Sequence, residues 1–270
     1  MQCFVLLTRP ELEDTNALFR AACVARDIEC IEITPGHAGK STLGTDRTRL
    51  IYRAAADWNA RVLEKLIARP NDVLLHDPHF VCEHQPIRLA QSGIPMARAI
   101  YVPDRTNLAT QANWLGGFPV VVKRPGSEGG AGVSLALDPG DLAKQLDTPD
   151  AAGAMLEAYV PHRLCWRLTV LAGQLITASA SEPPEGDFRT NVAGGRVVSE
   201  ATLPGGAADI AIRAVAALNL EFAGVDVMEG ADGSLMVAEV NFPCYFADQQ
   251  ARLQVDIAGA IVDRLSAKAG

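Results

Sequence analysis

A chain of 270 residues with 49% apolar and 21% charged side chains has the composition of an ordinary globular protein, long enough for two modest domains. Its net charge of −8 excludes a broad nucleic-acid-binding or anionic-membrane surface, although a few local cations can still hold an anionic ligand. No apolar run reaches the ~18 residues of a membrane span, and the six cysteines have neither zinc nor disulfide spacing.

The opening Met1-Gln2-Cys3-Phe4-Val5-Leu6-Leu7 lacks a basic segment and a cleavage site, so it reads as a strand over 3–8 and not as a signal peptide. A helical pattern follows over 11–26, with Leu12, Leu18, Ala21 and Val24 apolar, then a strand at 29–33 and a loop at 35–45. A second helix is expected from about 49 to 68 and a third strand at 72–76. Strands alternating with helices predict a small parallel α/β domain over residues 1–80.

A connector at 77–83 leads to a helix at 85–91, and Gly93-Ile94-Pro95 breaks the chain. Next come a strand at 98–102, a helix at 107–115 and the strand Pro119-Val120-Val121-Val122-Lys123. The following Gly126-Ser127-Glu128-Gly129-Gly130-Ala131-Gly132 loop lets backbone N–H groups face a phosphate, and Lys123 adds a point charge. It is neither a Walker loop nor a dinucleotide fingerprint. A strand at 133–137, a helix at 141–146 and a strand at 154–160 follow. Residues 167–171 and 174–179 form a hairpin about Ala172-Gly173, and 181–195 is a polar Gly/Pro-rich loop. An amphipathic helix spans 207–218, and a last helix runs from about 254 to 267.

Between those two helices stand Gly224-Val225-Asp226-Val227-Met228 and Val237-Ala238-Glu239-Val240-Asn241-Phe242-Pro243, two strands joined by a turn at 230–233. Residues two apart on a strand share a face, so Glu239 and Asn241 project together and the hairpin can bring Asp226 alongside. Three oxygen-bearing side chains suit a hard cation such as Mg²⁺; a polar face of a half-exposed hairpin is the alternative. Cys3, Cys23, Cys30, Cys82, Cys165 and Cys244 read as small buried hydrophobes of a reducing cytoplasm. Cys244 directly follows the acidic strand, but no partnered histidine is evident to activate it.

Four stretches, FPVVVKRPGSEGGAGV (118–133), EGDFRTNVAGG (185–195), LNLEFAGVDVM (218–228) and VAEVNFP (237–243), together resemble the ATP-grasp superfamily, most closely its RimK-type glutamate ligases. The resemblance implies an α/β (α+β) ATP-grasp fold, with an N-terminal Rossmann-like domain over 1–80 and an ATP-grasp domain over 81–270. Within the latter, an ATP-binding part is expected at about 95–160 and a catalytic part at about 161–270. It implies ATP with two Mg²⁺ ions (Mn²⁺ as a substitute), carboxylate activation by phosphoryl transfer, and attack by an amine. By the same resemblance Lys123, with Ser127, Gly129 and Gly130, meets the phosphates. Glu157, Ala158, Tyr159 and Val160 form the hinge that reads adenine, and Asp226, Glu239 and Asn241 are the metal ligands. Arg167, Arg189 and Asn191 join Lys123 as catalytic groups. The substrates implied are a carboxylate and an amine, amino acids or a peptide end among them, and homo-oligomers are common among relatives.

Some positions depart from the family pattern. Its lysine eleven residues before Gly93 is replaced by Cys82, with His84 and Arg88 nearby. The basic residues that precede the EGDFR loop in glutamate ligases are replaced by Ser181-Glu182-Pro183-Pro184, which favours a substrate other than glutamate. The leading expectation is a carboxylate–amine ligase. Intramolecular ring closure of the D-cycloserine type, or a kinase that stops at phosphoryl transfer, are the alternatives. Ser181 and Glu182 are expected to face the acceptor under a mobile 181–195 lid.

Overall fold

The computed structural model describes residues 2–37, 47–77, 85–101, 105–125, 130–190 and 196–270. Strand β1 (Gln2–Leu7) is buried without interruption from Cys3 to Leu7, as a parallel strand covered on both faces must be. Helix α1 (Glu13–Val24), β2 (Glu29–Ile33) and β3 (Thr48–Arg53) follow, and β1 lies between β2 and β3 in a three-stranded parallel sheet. Helix α2 (Trp58–Ile67) starts where Asp57 accepts the Ala60 N–H at 3.1 Å.

The helix expected from residue 49 is therefore a strand followed by a shorter helix. Arg49 and Arg53, both within the helix expected there, are buried strand residues. Arg49 is held by Asp72 and donates to the Ile67 carbonyl at 2.6 Å, while Arg53 pairs with Glu64 at 2.9 Å. The strand expected at 72–76 is reduced to isolated bridges, Leu50↔Val73 and His76↔Leu220.

The middle of the chain contains α3 (Gln85–Gln91), β4 (Ala99–Tyr101), α4 (Leu108–Leu115), β5 (Val120–Lys123), β6 (Val133–Ala136), α5 (Pro139–Leu146) and β7 (Met155–Ala158). Its strands form an antiparallel sheet in the order β4-β7-β5-β6. Leu108, Val120, Val122, Leu142 and Leu156 give this unit a core of its own.

The rest forms β8 (His162–Leu171), β9 (Gln174–Glu182), β10 (Arg196–Val198), α6 (Ala207–Ala217), β11 (Phe222–Gly230), β12 (Leu235–Asn241), α7 (Ala247–Leu253) and α8 (Ile257–Ala269). The antiparallel sheet runs β10-β9-β8-β11-β12. Ala172 and Gly173, with φ of 50° and 74°, make the tight β8–β9 turn. Ser181 and Glu182 belong to β9 and not to a loop, pairing with Val197 and Arg196 of β10. The final helix α8 is unbroken but starts at Ile257, because Gln254 takes a left-handed conformation that ends α7, a helix not expected from the sequence, and Asp256 caps α8 through Gly259 N at 2.9 Å. Phe4, Leu6 and Tyr52 share one core with Trp166, Leu168, Val225 and Ile261, so the parallel sheet and the five-stranded sheet pack as one body.

Candidate functional site

A cavity of about 210 Å³ lies between the four- and five-stranded sheets. Lys123, at the end of β5, reaches across it. Its Nζ lies 2.5 Å from Glu157 Oε2 on β7 and 3.4 Å from the Ala238 carbonyl on β12. Glu157, Ala158, Tyr159 and Val160 line the same cavity where the chain passes from one sheet to the other. The Glu157 side chain is buried, so this residue offers an ion pair as well as backbone.

The opposite wall is a row of charges in register. Asp226 of β11 faces Arg167 of β8 on one side and Glu239 of β12 on the other. Arg167 holds Asp226 through both nitrogens, with Nη2 at 2.9 Å from Oδ2. The Asp226 charge, opposed by burial, holds the Arg167 guanidinium above its ordinary value. Asn241 donates from Nδ2 to Asp226 Oδ2 at 3.2 Å, completing the expected group of three oxygen-bearing side chains. Desolvation by the cleft walls and then Asp226 push the Glu239 carboxyl above the usual glutamate value, against Lys123 and Arg167, which pull it down. Gly224 is required here because a Cβ would lie 2.9 Å from the Cys244 Cβ and 3.2 Å from Arg167 Cδ.

A strap over residues 187–190 closes the third side. Arg189 pairs with Asp187 at 2.7 Å and donates from Nη1 to the carbonyls of Gly130 at 3.0 Å and Val133 at 3.2 Å. Asp187 is held at about 2 by its hydrogen bonds from Arg189. Phe188 meets Tyr159 edge to face at 5.9 Å between ring centroids.

Of the expected site residues, Lys123, Gly130, Glu157, Ala158, Tyr159, Val160, Arg167, Arg189, Asp226, Glu239 and Asn241 are described, whereas Ser127, Gly129 and Asn191 lie outside the described residues, as do Cys82 and His84. Ser181 lines the cavity, but Glu182, one residue on, points to the other face and pairs with Arg196 at 2.6 Å. The expectation that Glu182 faces the acceptor is thus corrected. Cys244 is buried, and burial pushes its thiol up to about 12, which disfavours the thiolate that a nucleophile needs. Cys165 lines the cavity, its thiol likewise raised to about 12 by burial and Asp226. Asp187 and Phe188 were not singled out from the sequence, though both sit in the EGDFR stretch beside Arg189.

The donor set is one for hard cations: two carboxylates and an amide, all on one face. No group of three or more His, Cys, Asp or Glu placed for a metal occurs among the described residues; here the two carboxylates are joined by the amide of Asn241. Its Nδ2 faces Asp226 here, and a turn of the amide would present Oδ1 instead.

Comparison with known proteins gives the family and the fold. The family model of the RimK-like ATP-grasp domain matches residues 84–265. A probable alpha-L-glutamate ligase of Rhodopirellula baltica is 29% identical over 182 residues, 66% of this chain and 44% of that protein. A ribosomal protein bS6–L-glutamate ligase of Salmonella newport is 33% identical over 180 residues, 64% of this chain and 59% of that one. The chain thus spans about half the length of the curated relatives it matches. The ATP-grasp ligase PsnB, in complex with a minimal precursor, Mg and ADP, superposes with a TM-score of 0.73 at 18% identity, over 99% of this chain and 97% of that one. With a charge row and strap set between two antiparallel sheets, and a family match over most of its length, this chain belongs to the RimK-like ATP-grasp family.

Proposed function

We propose that the chain is an ATP-dependent carboxylate–amine ligase that forms an amide or peptide bond on a small molecule or a peptide end through an acyl phosphate. The observation that carries this reading is the row Arg167–Asp226–Glu239 facing Lys123 across one cleft. A carboxylate is a poor electrophile, because its leaving group would be oxide; phosphorylation supplies a better one. The transferred phosphoryl group spreads negative charge that preorganised cations must meet. Lys123 and Arg189 both line the cavity. Arg167 instead orients Asp226, and to meet a phosphoryl oxygen Arg189 would exchange Asp187 for it.

Asp226, Glu239 and Asn241 would hold Mg²⁺, with two ions expected, and Mn²⁺ could replace it. When bound, the metal screens phosphate charge and aligns the phosphate oxygens. Tyr159 and Phe188 would flank the adenine end, and Ser127, Gly129 and Asn191 are further candidates for phosphate contact. Closure of the strap would keep water from the acyl phosphate.

The amine or acyl partner is proposed to be other than glutamate, since Ser181 stands in the cleft and Glu182 is already paired. Amino acids and peptide ends are the first substrates to try, as the relatives' names concern glutamate, a ribosomal protein and a precursor. We divide the chain functionally at about residue 80, into an N-terminal unit and the ATP-grasp unit. A cytoplasmic setting is supported by the absence of disulfides among the described cysteines, and no described helix is long and apolar enough to cross a membrane. A homo-oligomer is proposed from family habit alone. A screen of ADP release over amino acids and dipeptides with Mg²⁺, with mass spectrometry of products, tests the reading. ADP formation without an amine would favour a kinase, and a product lighter by one water with no second substrate would favour ring closure.

A further inference from the structure

Strand β12 carries Glu239 and Asn241, and it is the edge strand of its sheet. An edge strand leaves every second backbone N–H and C=O without a neighbouring strand. At Val240, the residue between Glu239 and Asn241, both groups are taken by one side chain. Gln85 Nε2 donates to the Val240 carbonyl at 2.7 Å, and the Val240 N–H donates to Gln85 Oε1 at 3.2 Å. The primary amide of Gln85 thereby does what a further strand would do. Farther along the same edge, Val237 N–H donates to the Pro95 carbonyl at 2.8 Å.

Direction follows from strand geometry. Because Val240 turns its backbone groups outward, Glu239 and Asn241 turn theirs inward toward β11, where their partners are Asp226 and Gly224. The pitch of this segment, and with it the spacing of the Glu239 and Asn241 side chains from Asp226, is fixed from both sides. The inner side is the sheet; the outer side is Gln85. A β-bulge between Asp226 and Val227 interrupts the regular β11–β12 register next to this point, so the outer clamp bears on a segment that the ladder alone holds less firmly. Gln85 is half-buried at the start of α3, and its chemistry is specific. Only a primary amide offers an acceptor and donors side by side in the manner of a peptide group, and asparagine is one methylene too short.

We propose that Gln85 is a positioning residue: it clamps Val240 so that Glu239 and Asn241 stand ready to receive a divalent cation with Asp226. This rests on the reading of those three side chains as the metal face. Gln85 touches neither substrate nor metal in this account.

The test uses the full chain and two variants, Q85L and Q85E, with two readouts that need no turnover. One is hydrogen exchange of the Val240 amide. The other is Mn²⁺ affinity in the presence of ADP, read by electron paramagnetic resonance. In Q85L the Val240 amide should exchange about tenfold faster, as loss of one hydrogen bond implies. The Val237 amide should keep its parent rate. Mn²⁺ affinity should fall by about tenfold, as for loss of an outer partner of a metal ligand. Q85E keeps the acceptor and loses the donor, so it should retain Val240 protection and lose part of the Mn²⁺ affinity. An unchanged Val240 rate in Q85L overturns the proposal, as does faster exchange with unchanged Mn²⁺ affinity. A parent protein that binds Mn²⁺ with ADP but joins no substrates counts against the ligase reading alone.

Discussion

Lys123 has two tasks that a single substitution would confuse. It neutralises the buried Glu157 and, in the proposed mechanism, the phosphates. Lys123→Ala should reduce kcat/KM by about 2–4 kcal/mol of transition-state stabilisation. It should also lower the melting temperature, because it leaves a buried carboxylate unpaired. The pair Lys123→Met with Glu157→Gln separates the effects: melting should recover while turnover stays lost. If the double variant regained activity, Lys123 would have only a structural role. For Glu239→Ala the expectation is abolished ADP formation with near-parent melting, since this side chain is open to the cleft; turnover within a few fold of the parent would remove it from the metal site. Most of these residues were legible from spacing. Glu239 and Asn241 are two apart on a strand, and Lys123 ends a β-branched run before a glycine loop. The contacts of Gln85 with Val240 and of Lys123 with Ala238 were not, because no periodicity records a side chain meeting a distant backbone group.

At the scale of elements, the strap over 187–190 meets the cavity wall at Tyr159 through Phe188 and at Gly130 and Val133 through Arg189, which Asp187 holds from within the strap. Mg²⁺ and ATP together should slow proteolysis within 183–190, and Arg189→Ala should both weaken that protection and reduce phosphoryl transfer. Equal cleavage with and without nucleotide would show that the strap does not close on it. The glycines and prolines of this stretch marked it as irregular, but they also hid that β9 continues through Glu182 to pair with β10. A similar ambiguity affected β3. Leu50-Ile51-Tyr52 suits a strand, yet it falls within the helix expected from 49, and the burial of the flanking Arg49 and Arg53 by ion pairs is disclosed only by the tertiary structure. One of those pairs bears on the site. Arg53 lies over the Phe242 ring at 5.2 Å and His76 packs against it with tilted rings, centroids 4.2 Å apart, and Phe242 follows Asn241. Burial raises the Glu64 carboxyl of this cluster, but His76 and Arg53 more than offset it, leaving Glu64 below its ordinary value of 4.5. A carboxylate with a lowered folded pKa lends stability above its unfolded value and loses it as pH falls through the folded one. The melting temperature should therefore fall as pH drops below 4.5, and Glu64→Gln should shrink that acid-side step. An identical acid profile for the variant would contradict the role given to this pair.

At the scale of the molecule, the parallel sheet and the five-stranded sheet share a core while the four-stranded sheet packs on its own, with the cavity where the two bodies meet. That division places Lys123, the proposed phosphate contact, on one body and the proposed metal face on the other, so nucleotide binding should draw them together. At 100 times its dissociation constant, Mg²⁺·ATP should stabilise the fold by about 2.7 kcal/mol, and Asp226→Asn should lose most of that gain. The family order of motifs made the ATP-grasp unit readable from the sequence, whereas the shared core did not show, since it depends on Phe4 and Tyr52 meeting Trp166 and Phe222 far along the chain. The central claim is that a substrate carboxylate is phosphorylated and then captured by an amine. Once the screen has identified a substrate pair, its carboxylate can be labelled with ¹⁸O and the released phosphate analysed by mass spectrometry. The account predicts one ¹⁸O in each phosphate, formed in equal amount with amide and ADP. Phosphate free of label, formed at the same rate with the amine left out, would contradict it.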